Sequence, residues 1–194
     1  MKPNTTKKLS NKNIQPKQSS RMKLNDYLYT WYLDLDIEQL KFEGSCYCGT
    51  CQFISEGKPF FRTLCHCSIC TRISGGIAIP FVGFQNDNLK IIKGLENLKG
   101  FKATERMERF FCKTCSSNVY NQSLLPDRLF RDTSLMNFKR DNQGNIIDLD
   151  ELKPDSHIFF SDCQQCFTEM FKADGLTKFS TIPGSTIISN EASK

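Results

Sequence analysis

The sequence has no long hydrophobic run. None of its apolar stretches approaches the roughly 18 residues that a membrane-spanning helix needs. Residues 1–20 are polar and rich in lysine, and they lack the apolar core of a secretory signal peptide. We therefore expect a cytoplasmic protein, with the nucleus as the alternative compartment, that is neither secreted by the signal-peptide route nor inserted in a membrane.

Acidic residues are absent from the first 24 positions. This segment carries a charge of +7 and the whole chain +5, so the rest of the chain carries −2. Because so polar a stretch cannot bury enough apolar surface to offset the entropy lost on ordering, residues 1–24 are predicted to be a disordered arm. Any binding of nucleic acid is expected only through this arm, and an ordinary solvated extension is the competing interpretation.

Long amphipathic helices and internal repeats are also missing. What remains is a series of short runs suited to β-strands, separated by turns of Gly, Pro, Asn and Asp. From Tyr27 onward, apolar residues occupy alternate positions, which favours a further strand; a helix beginning at Asn25 or Asp26 is the alternative. A chain of 194 residues with 39% hydrophobic residues is expected to form one mainly β domain. The predicted strands within it are 46–54, 77–84, 89–92, 108–112, 117–120 and 158–160.

The ten cysteines are the most informative residues. In a reducing compartment, clustered cysteines are more often metal ligands than disulfide partners. Three clusters stand out: C-Y-C-G-T-C at 46–51, C-H-C-S-I-C at 65–70 and C-K-T-C at 112–115. An extended C-x-C segment places both thiols on one face, and a C-x-x-C turn wraps around an ion, so both spacings can chelate. Zinc is the predicted cofactor, because it suits soft thiolates at tetrahedral positions.

The number of thiols leaves the type of site open. The three clusters supply eight cysteines, enough for two closed four-thiolate sites or for one closed and one open site. The run at 65–70 can wrap three thiolates around one ion and leave a fourth position vacant, as catalytic zinc sites do. The pairs from the other two clusters can close a structural site, although Cys48 and Cys51 can equally form a C-x-x-C knuckle. The alternative is that all three clusters only hold a small fold together.

Three segments resemble the signature segments of the glutathione-dependent formaldehyde-activating enzyme family, which includes centromere protein V. They are G-S-C-Y-C-G-T-C-Q-F at 44–53, C-H-C-S-I-C-T-R-I-S-G at 65–75 and F-C-K-T-C at 111–115. Residues 154–160 and 174–176 are similar to the C-terminal part of the family's domain. The resemblance implies a zinc-binding domain at 42–182, with an extension at 25–41 that packs on it and a flexible tail at 183–194.

This resemblance also implies a fold, a cofactor and an activity. The fold is a mainly β tent of the Mss4-like type, with several short antiparallel sheets around two zinc sites. The activity is carbon–sulfur lyase chemistry, in which glutathione or a related small thiol and formaldehyde combine as S-hydroxymethylglutathione. The implied ligands of a structural zinc are Cys46, Cys48, Cys112 and Cys115, and those of a catalytic zinc are Cys65, Cys67 and Cys70. Centromere protein V suggests the alternative, a non-catalytic zinc module whose basic arm contacts nucleic acid or a protein partner.

Some residues differ from the family pattern, and one lies next to it in the sequence. Cys51 occupies a place that usually holds a small apolar residue, which implies a buried apolar thiol. Arg72 follows the third ligand of the second cluster by two residues and is the nearest candidate to bind a glutathione carboxylate. Ser116 replaces the glycine that usually follows the last zinc cysteine, and Cys166-Phe167 stands where the family often has Pro-Trp. The residues that line the substrate site are therefore expected to differ from those of other family members.

The histidines and the last cysteine pair are predicted to lie outside the zinc sites. His66 lies between two thiols on the same face, so in an extended segment it points away from them and is expected to pack or to accept or donate a hydrogen bond. His157 is expected to support the fold. Cys163 and Cys166 form a single C-x-x-C that lacks two further ligands; a third metal site completed by another protein is the alternative.

Overall fold

The computed structural model describes residues 40–188. The predictions for the arm at 1–24, for the strand or helix after Tyr27 and for the end of the C-terminal tail therefore lie outside the described residues. Within this range the chain forms eleven short strands. They are β1 (Lys41–Ser45), β2 (Gln52–Glu56), β3 (Phe61–Cys65), β4 (Ile79–Gln85), β5 (Leu89–Lys93), β6 (Leu98–Thr104), β7 (Met107–Cys112), β8 (Asn118–Ser123), β9 (Phe130–Ser134), β10 (Ser156–Ile158) and β11 (Thr177–Lys178).

The strands form two sheets, which confirms the predicted mainly β fold class. A three-stranded antiparallel sheet has the order β1-β2-β5, and an eight-stranded sheet has the order β11-β10-β3-β4-β9-β8-β7-β6. The larger sheet is antiparallel from β3 to β6, whereas β10 pairs in parallel with both β3 and β11. This edge differs from the expected antiparallel sheets because β10 returns to β3 through a long connection, which a parallel pair requires.

Helices are short and connect strands. They are α1 (Ser68–Ser74), α2 (Leu149–Leu152) and α3 (Gln165–Thr168), with single turns of 3-10 helix at Asn86–Asn88, Leu95–Asn97, Leu135–Asn137, Phe160–Asp162 and Glu169–Phe171. No helix in the described range is both long and apolar enough to cross a bilayer. Helix α1 begins where the Cys67 side chain accepts a hydrogen bond from the Cys70 N–H, and it ends at Gly75 with a φ of +71°. The cap of this helix is thus itself a candidate metal ligand.

Aromatic side chains from both sheets build the core. Phe42 and Phe53 of the small sheet meet Phe84 and Phe138, and the rings of Phe53 and Phe138 stand edge to face at 5.6 Å. A Cβ atom added to Gly44 would lie 2.2 Å from the Phe53 ring, so only glycine fits there. Each buried ring contributes roughly 1.5–3 kcal/mol, which fixes β1 and β2 and the turn between them.

The predicted strand at 46–54 is wrong in its first half. The Cys46 N–H donates to the Cys51 carbonyl at 2.9 Å, and the Gly49 N–H donates to the Cys46 carbonyl at 3.0 Å, so the cysteines lie on a turn and β2 begins after it. Gly49 has a φ of +75°, which suits a turn and excludes an extended strand. Alternate cysteines here lie on a turn and do not mark the faces of a strand.

The other predicted strands lie close to observed ones. The runs at 77–84, 89–92, 108–112 and 117–120 overlap β4, β5, β7 and β8. The run at 158–160 is shifted, because β10 ends at Ile158 and Phe159 has a φ of +53°, which terminates the extended backbone. Near the end of the described range, the Ile188 N–H donates to the Lys178 carbonyl at 2.8 Å and links the last residues to β11.

Candidate functional site

Four thiols converge where two turns meet. The Sγ atoms of Cys46, Cys48, Cys112 and Cys115 all lie within 4.8 Å of one another. Cys48 Sγ is 3.6 Å from Cys46 Sγ and 3.8 Å from Cys112 Sγ. Tetrahedral zinc with zinc–sulfur bonds of about 2.3 Å places its sulfurs about 3.8 Å apart, so the cluster fits a four-thiolate metal site.

Each turn of this cluster is closed by backbone hydrogen bonds. The β1–β2 turn carries the first two thiols. In the β7–β8 turn, the Ser116 N–H donates to the Cys112 carbonyl at 2.8 Å, and the Cys112 N–H donates to the Ser117 carbonyl at 3.0 Å. Ser116 has a φ of +60°, which glycine adopts more readily. This conformation gives a physical reason for the glycine that the family usually has at this position.

Hydrogen-bond donors surround the four sulfurs. The Cys51 N–H lies 3.2 Å from Cys46 Sγ, and Asn97 Nδ2 lies 3.2 Å from Cys112 Sγ. Burial raises the pKa of Cys46 to about 12. Burial also opposes the charge of Cys115, but hydrogen bonds from the hydroxyl and N–H of Ser117 outweigh it and lower the pKa of Cys115 to about 6. Four adjacent sulfurs ionise together only beside a cation, which a closed metal site supplies.

Cys51 is not part of this set. It is fully buried. Its thiol lies 3.4 Å from the Gly94 carbonyl, and burial raises its pKa. A Cβ atom on Gly94, where φ is +74°, would lie 2.4 Å from the Thr50 carbonyl oxygen, so the chain passes this turn too closely for another residue. The structure thus places Cys51 as a buried apolar thiol.

The second cluster has three thiols. Cys65 ends β3, Cys67 caps α1 and Cys70 lies in its first turn, and their Sγ atoms lie within 4.8 Å of one another. Cys65 is buried, and the other two are partly exposed. Among residues 40–188, which include every cysteine and histidine of the sequence, no fourth histidine, cysteine or carboxylate joins the set.

Electrostatics within this cluster favour a cation. Hydrogen bonds from the thiols of Cys65 and Cys70, and then from backbone N–H groups, lower the pKa of Cys67 to about 2. Hydrogen bonding to Cys67 and Cys70, together with burial, raises the pKa of Cys65. Since the pKa of Cys67 is lowered while those of Cys65 and Cys70 are raised, a positive ion among the three sulfurs would favour ionisation of the other two as well. These residues therefore fit a three-thiolate metal site.

Two buried histidines lie against this cluster. His66 Nε2 is 2.8 Å from His157 Nδ1, and His157 Nε2 is 2.6 Å from Asp174 Oδ2. Lys178, also buried, donates to Asp174 Oδ1 at 2.9 Å. Burial lowers the pKa of His66 to about 4, so the imidazole is neutral at physiological pH. Both histidines are packed and hydrogen-bonded, as the sequence predicted.

Sequence reasoning missed Arg109. This arginine of β7 is only 7% exposed, and its Nη2 lies 3.7 Å from Cys70 Sγ. A register shift between Phe110 and Phe111 interrupts the strand's alternation, so both Arg109 and Cys112 are buried. The sequence carries no local signal of this placement, because it depends on the irregular pairing of β7 and on the position of α1.

The remaining candidate residues stay at the surface. Arg72 is exposed on α1, and within the described range it makes no hydrogen bond or ion pair. Lys113, the exposed residue next to Cys112, donates to the Glu96 carbonyl at 2.7 Å. Cys163 is partly exposed and Cys166 exposed, and neither belongs to a group of three donors among residues 40–188. A third metal site completed by another protein stays the untested alternative.

A cavity of about 760 Å³ opens beside the four-thiol cluster. Glu43, Tyr47, Ile92, Met136 and Lys139 are among its lining residues. It does not reach the three-thiol cluster, whose own access to solvent comes through the partly exposed Cys67 and Cys70. The cavity therefore lies beside one cluster, whereas the three thiols without a fourth ligand form the other. We take the three-thiol cluster as the candidate reactive site, because its thiols are chemical groups that can act on a substrate.

Comparisons with known proteins find a family whose matched region contains both cysteine clusters. The model of the family described as glutathione-dependent formaldehyde-activating enzyme matches residues 41–162. A Halomonas elongata protein named for the same family is 35% identical over 86 residues, which cover 40% of this chain and 54% of the relative. The chain thus spans about half the length of this curated relative.

A crystal structure of a Rhodobacter sphaeroides protein is also similar, with a TM-score of 0.41 and 18% identity over 54% of this chain and 96% of that one. The family model carries the assignment, because it covers more than half of the sequence and contains both cysteine clusters. The chain belongs to the glutathione-dependent formaldehyde-activating enzyme family.

Proposed function

We propose that this protein catalyses the reversible addition of a small thiol, glutathione in the first instance, to formaldehyde. The product of the forward reaction is S-hydroxymethylglutathione, and the reverse reaction is that of a carbon–sulfur lyase. The observation that carries the proposal is the difference between the two clusters, four thiols in one and three in the other. Family membership supports the same substrates.

The two clusters are proposed to have different roles. Cys46, Cys48, Cys112 and Cys115 would hold a structural zinc, because four sulfurs complete its coordination. The second group, Cys65, Cys67 and Cys70, would hold a zinc that retains a place for a substrate. When bound there, zinc would supply a positive charge that keeps a nearby thiol ionised at neutral pH.

The chain's own residues organise the reactants. The three-thiol cluster lies at the start of α1, so a substrate sulfur directed to it meets the partly exposed edge formed by Cys67 and Cys70. Arg72, exposed on the same helix, is proposed to bind a carboxylate of glutathione. Holding the thiolate in place beside formaldehyde makes a bimolecular reaction effectively unimolecular, with the two reacting atoms already oriented.

In the reaction the thiolate sulfur attacks the carbonyl carbon. The carbon–sulfur bond forms as the carbon–oxygen π bond breaks, and the electron pair moves to oxygen, which takes up a proton from water. The reverse reaction removes that proton and expels the thiolate. No oxidant or reductant takes part.

Isotope exchange tests this function. Carbon-13 formaldehyde and glutathione exchange with their adduct without a catalyst, and magnetisation-transfer NMR measures how fast. We expect purified reduced protein that contains two zinc ions per chain to accelerate this exchange in proportion to its concentration. An exchange rate that does not depend on protein concentration would contradict the proposal.

A further inference from the structure

The Arg109 guanidinium is buried with part of its donor capacity unused. Nη2 points at Cys70 Sγ, but within residues 40–188 Nη1 is buried and has no hydrogen-bond partner. A buried donor without an acceptor costs about 1–3 kcal/mol, and more when it is charged. Such a group in a folded protein calls for a specific reason, and a ligand that supplies the missing acceptor is one.

No carboxylate of the described chain fills this role directly. The ion pairs of residues 40–188, defined by nitrogen–oxygen distances up to 4.0 Å, do not include Arg109. Asp132 lies in the same row of the sheet, because Arg109 pairs with Asn121 and Asn121 pairs with Asp132. Its Oδ1 accepts from Asn121 Nδ2 at 2.5 Å, and among residues 40–188 no hydrogen bond joins Asp132 to Arg109, so the two interact only through their charges. The unused donor therefore remains available for an acceptor from outside the chain.

We propose that Arg109 is a catalytic residue of the thiol–aldehyde reaction, a role that rests on the proposed function. Its guanidinium donates a hydrogen bond to the formaldehyde oxygen while the sulfur attacks the carbon. The electron pair of the breaking π bond moves to that oxygen, and the fixed positive charge stabilises it until water supplies the proton. Arginine itself gives up no proton, because its guanidinium remains charged in proteins.

The position of the guanidinium selects the oxygen over the other acceptors of the substrates. When the substrate sulfur lies at the three-thiol cluster, the reacting carbon is one bond away from that sulfur and the aldehyde oxygen is two bonds away. Arg109 Nη2 is within hydrogen-bond range of Cys70 Sγ, so an oxygen two bonds from a sulfur at this cluster would lie near the same guanidinium, whose unpartnered donor is Nη1. The carboxylates of glutathione lie many bonds from its sulfur and extend outward, where the exposed Arg72 is better placed.

Burial also limits the size of the aldehyde. Arg109 is covered by the sheet and α1, so an acceptor reaches it only if the rest of the molecule fits beside Cys70. Formaldehyde carries no substituent on its carbonyl carbon apart from hydrogen, so of all aldehydes it needs the least room to present its oxygen there. The proposal thus links preference for the smallest aldehyde to one buried arginine.

The test compares Arg109→Met with wild type in three measurements. These are zinc content, glutathione affinity by calorimetry and the NMR exchange rate. We expect two zinc ions, glutathione affinity within about twofold of wild type, and exchange slower by about 10²–10³-fold, since the donor acts only on charge that develops in the transition state. Arg128→Met, which removes an exposed arginine, is the matched control and should exchange at the wild-type rate.

Two further variants make the test specific. Added guanidinium ion should restore exchange to Arg109→Ala, whereas urea, which lacks the charge, should not. If Arg109→Met does not fold, Arg109→Gln keeps an N–H donor without the charge and should be slower than wild type by at least about tenfold.

The contrary outcomes are distinct from one another. Wild-type exchange in the Arg109 variants overturns the catalytic role. A loss of glutathione affinity in step with the rate would instead make Arg109 a thiol-binding residue, and loss of one zinc would make it a support of Cys70; either result overturns the proposal. Wild-type protein that does not catalyse exchange overturns the proposed function and this inference together.

Discussion

His66 Nε2 and His157 Nδ1 lie 2.8 Å apart although 91 residues separate them in the sequence. The parallel pairing of β3 with β10 places His157 beside Leu64, two residues before His66 on the same face. The contact therefore attaches the segment that carries Cys65 and Cys67 to β10, the neighbour of the edge strand β11. Since this link is buried and neutral, it supports the three-thiol cluster without adding charge to it.

Replacing His157 by phenylalanine should loosen this link. The buried His66 Nε2 and the exposed Asp174 carboxylate would lose their partner, and at about 1–3 kcal/mol for the one buried group the loss should be about 1–3 kcal/mol. Urea unfolding of the zinc-loaded protein measures it. Lys139→Ala removes an exposed ion pair with Glu43 and should change stability by less than about 1 kcal/mol. Equal losses in the two variants would contradict the supporting role of His157.

The four-thiol cluster is predicted to hold the fold. Cys112→Ser should lower the melting temperature and the zinc content together, because the binding free energy of a closed thiolate site is also folding free energy. Cys166→Ser removes an exposed thiol outside both clusters and should alter neither quantity. A Cys112 variant with unchanged melting temperature and zinc content would show that this cluster holds no structural metal.

Asp132 should make stability depend on pH. Burial raises its pKa to about 7, while hydrogen bonding from Asn121 and the charge of Arg109 act in the opposite direction. The unfolded carboxyl has a pKa of about 3.9, so the folded protein binds the extra proton between about pH 4 and 7. Stability should therefore fall as the pH rises through this window and level off above it.

Urea midpoints of wild type and Asp132→Asn from pH 5.5 to 8 measure this effect. The asparagine keeps the acceptor for Asn121 but does not titrate, so the stability of wild type relative to the variant should decrease up to about pH 7 and then stay constant. A difference that does not change with pH would show that Asp132 is ionised throughout.

The sequence segment 1–24 lies outside the described residues, and its role is a prediction from composition. A protein beginning at Leu24 should keep two zinc ions and the wild-type melting temperature, because a polar arm supplies no core face. If the full chain binds DNA, the truncated protein should not, and binding by the full chain should weaken steeply with salt. DNA binding that survives truncation would place the interface on the folded domain.

The sequence predicts which cysteines within one cluster come together, but it does not predict contacts between distant segments. C-x-C-x-x-C at 65–70 is local, so its three thiols meet as the spacing predicts. The joining of Cys48 to Cys112 across 64 residues depends on how β1, β2, β7 and β8 pair; the cysteine spacing leaves it as one of several possibilities, and the family resemblance selects it. The alternating cysteines at 46–51 predict a strand, although the structure has a turn there, because the C-x-C spacing and strand alternation have the same period.

Several strands had no clear signal of their own. β6, with the sequence LKGFKAT, is largely exposed and contains a glycine and two lysines, so its strand is defined by pairing with β7 and not by a buried face. The sequence likewise gives no sign that Arg109 is buried, because its burial depends on the bulge in β7 and on the position of α1. Residues whose role arises from tertiary structure cannot be found by periodicity.

The central claim is that the two clusters are separate and that the three-thiol cluster is the reactive one. Cys67→Ser tests it by paired measurement of zinc content and of formaldehyde–glutathione exchange, with Cys166→Ser as the control for loss of a thiol. We predict one zinc ion per chain and exchange at the uncatalysed rate for Cys67→Ser, since a three-thiol site has no spare ligand while the other four thiols remain. Wild-type exchange in this variant, or loss of both zinc ions at once, would contradict the account.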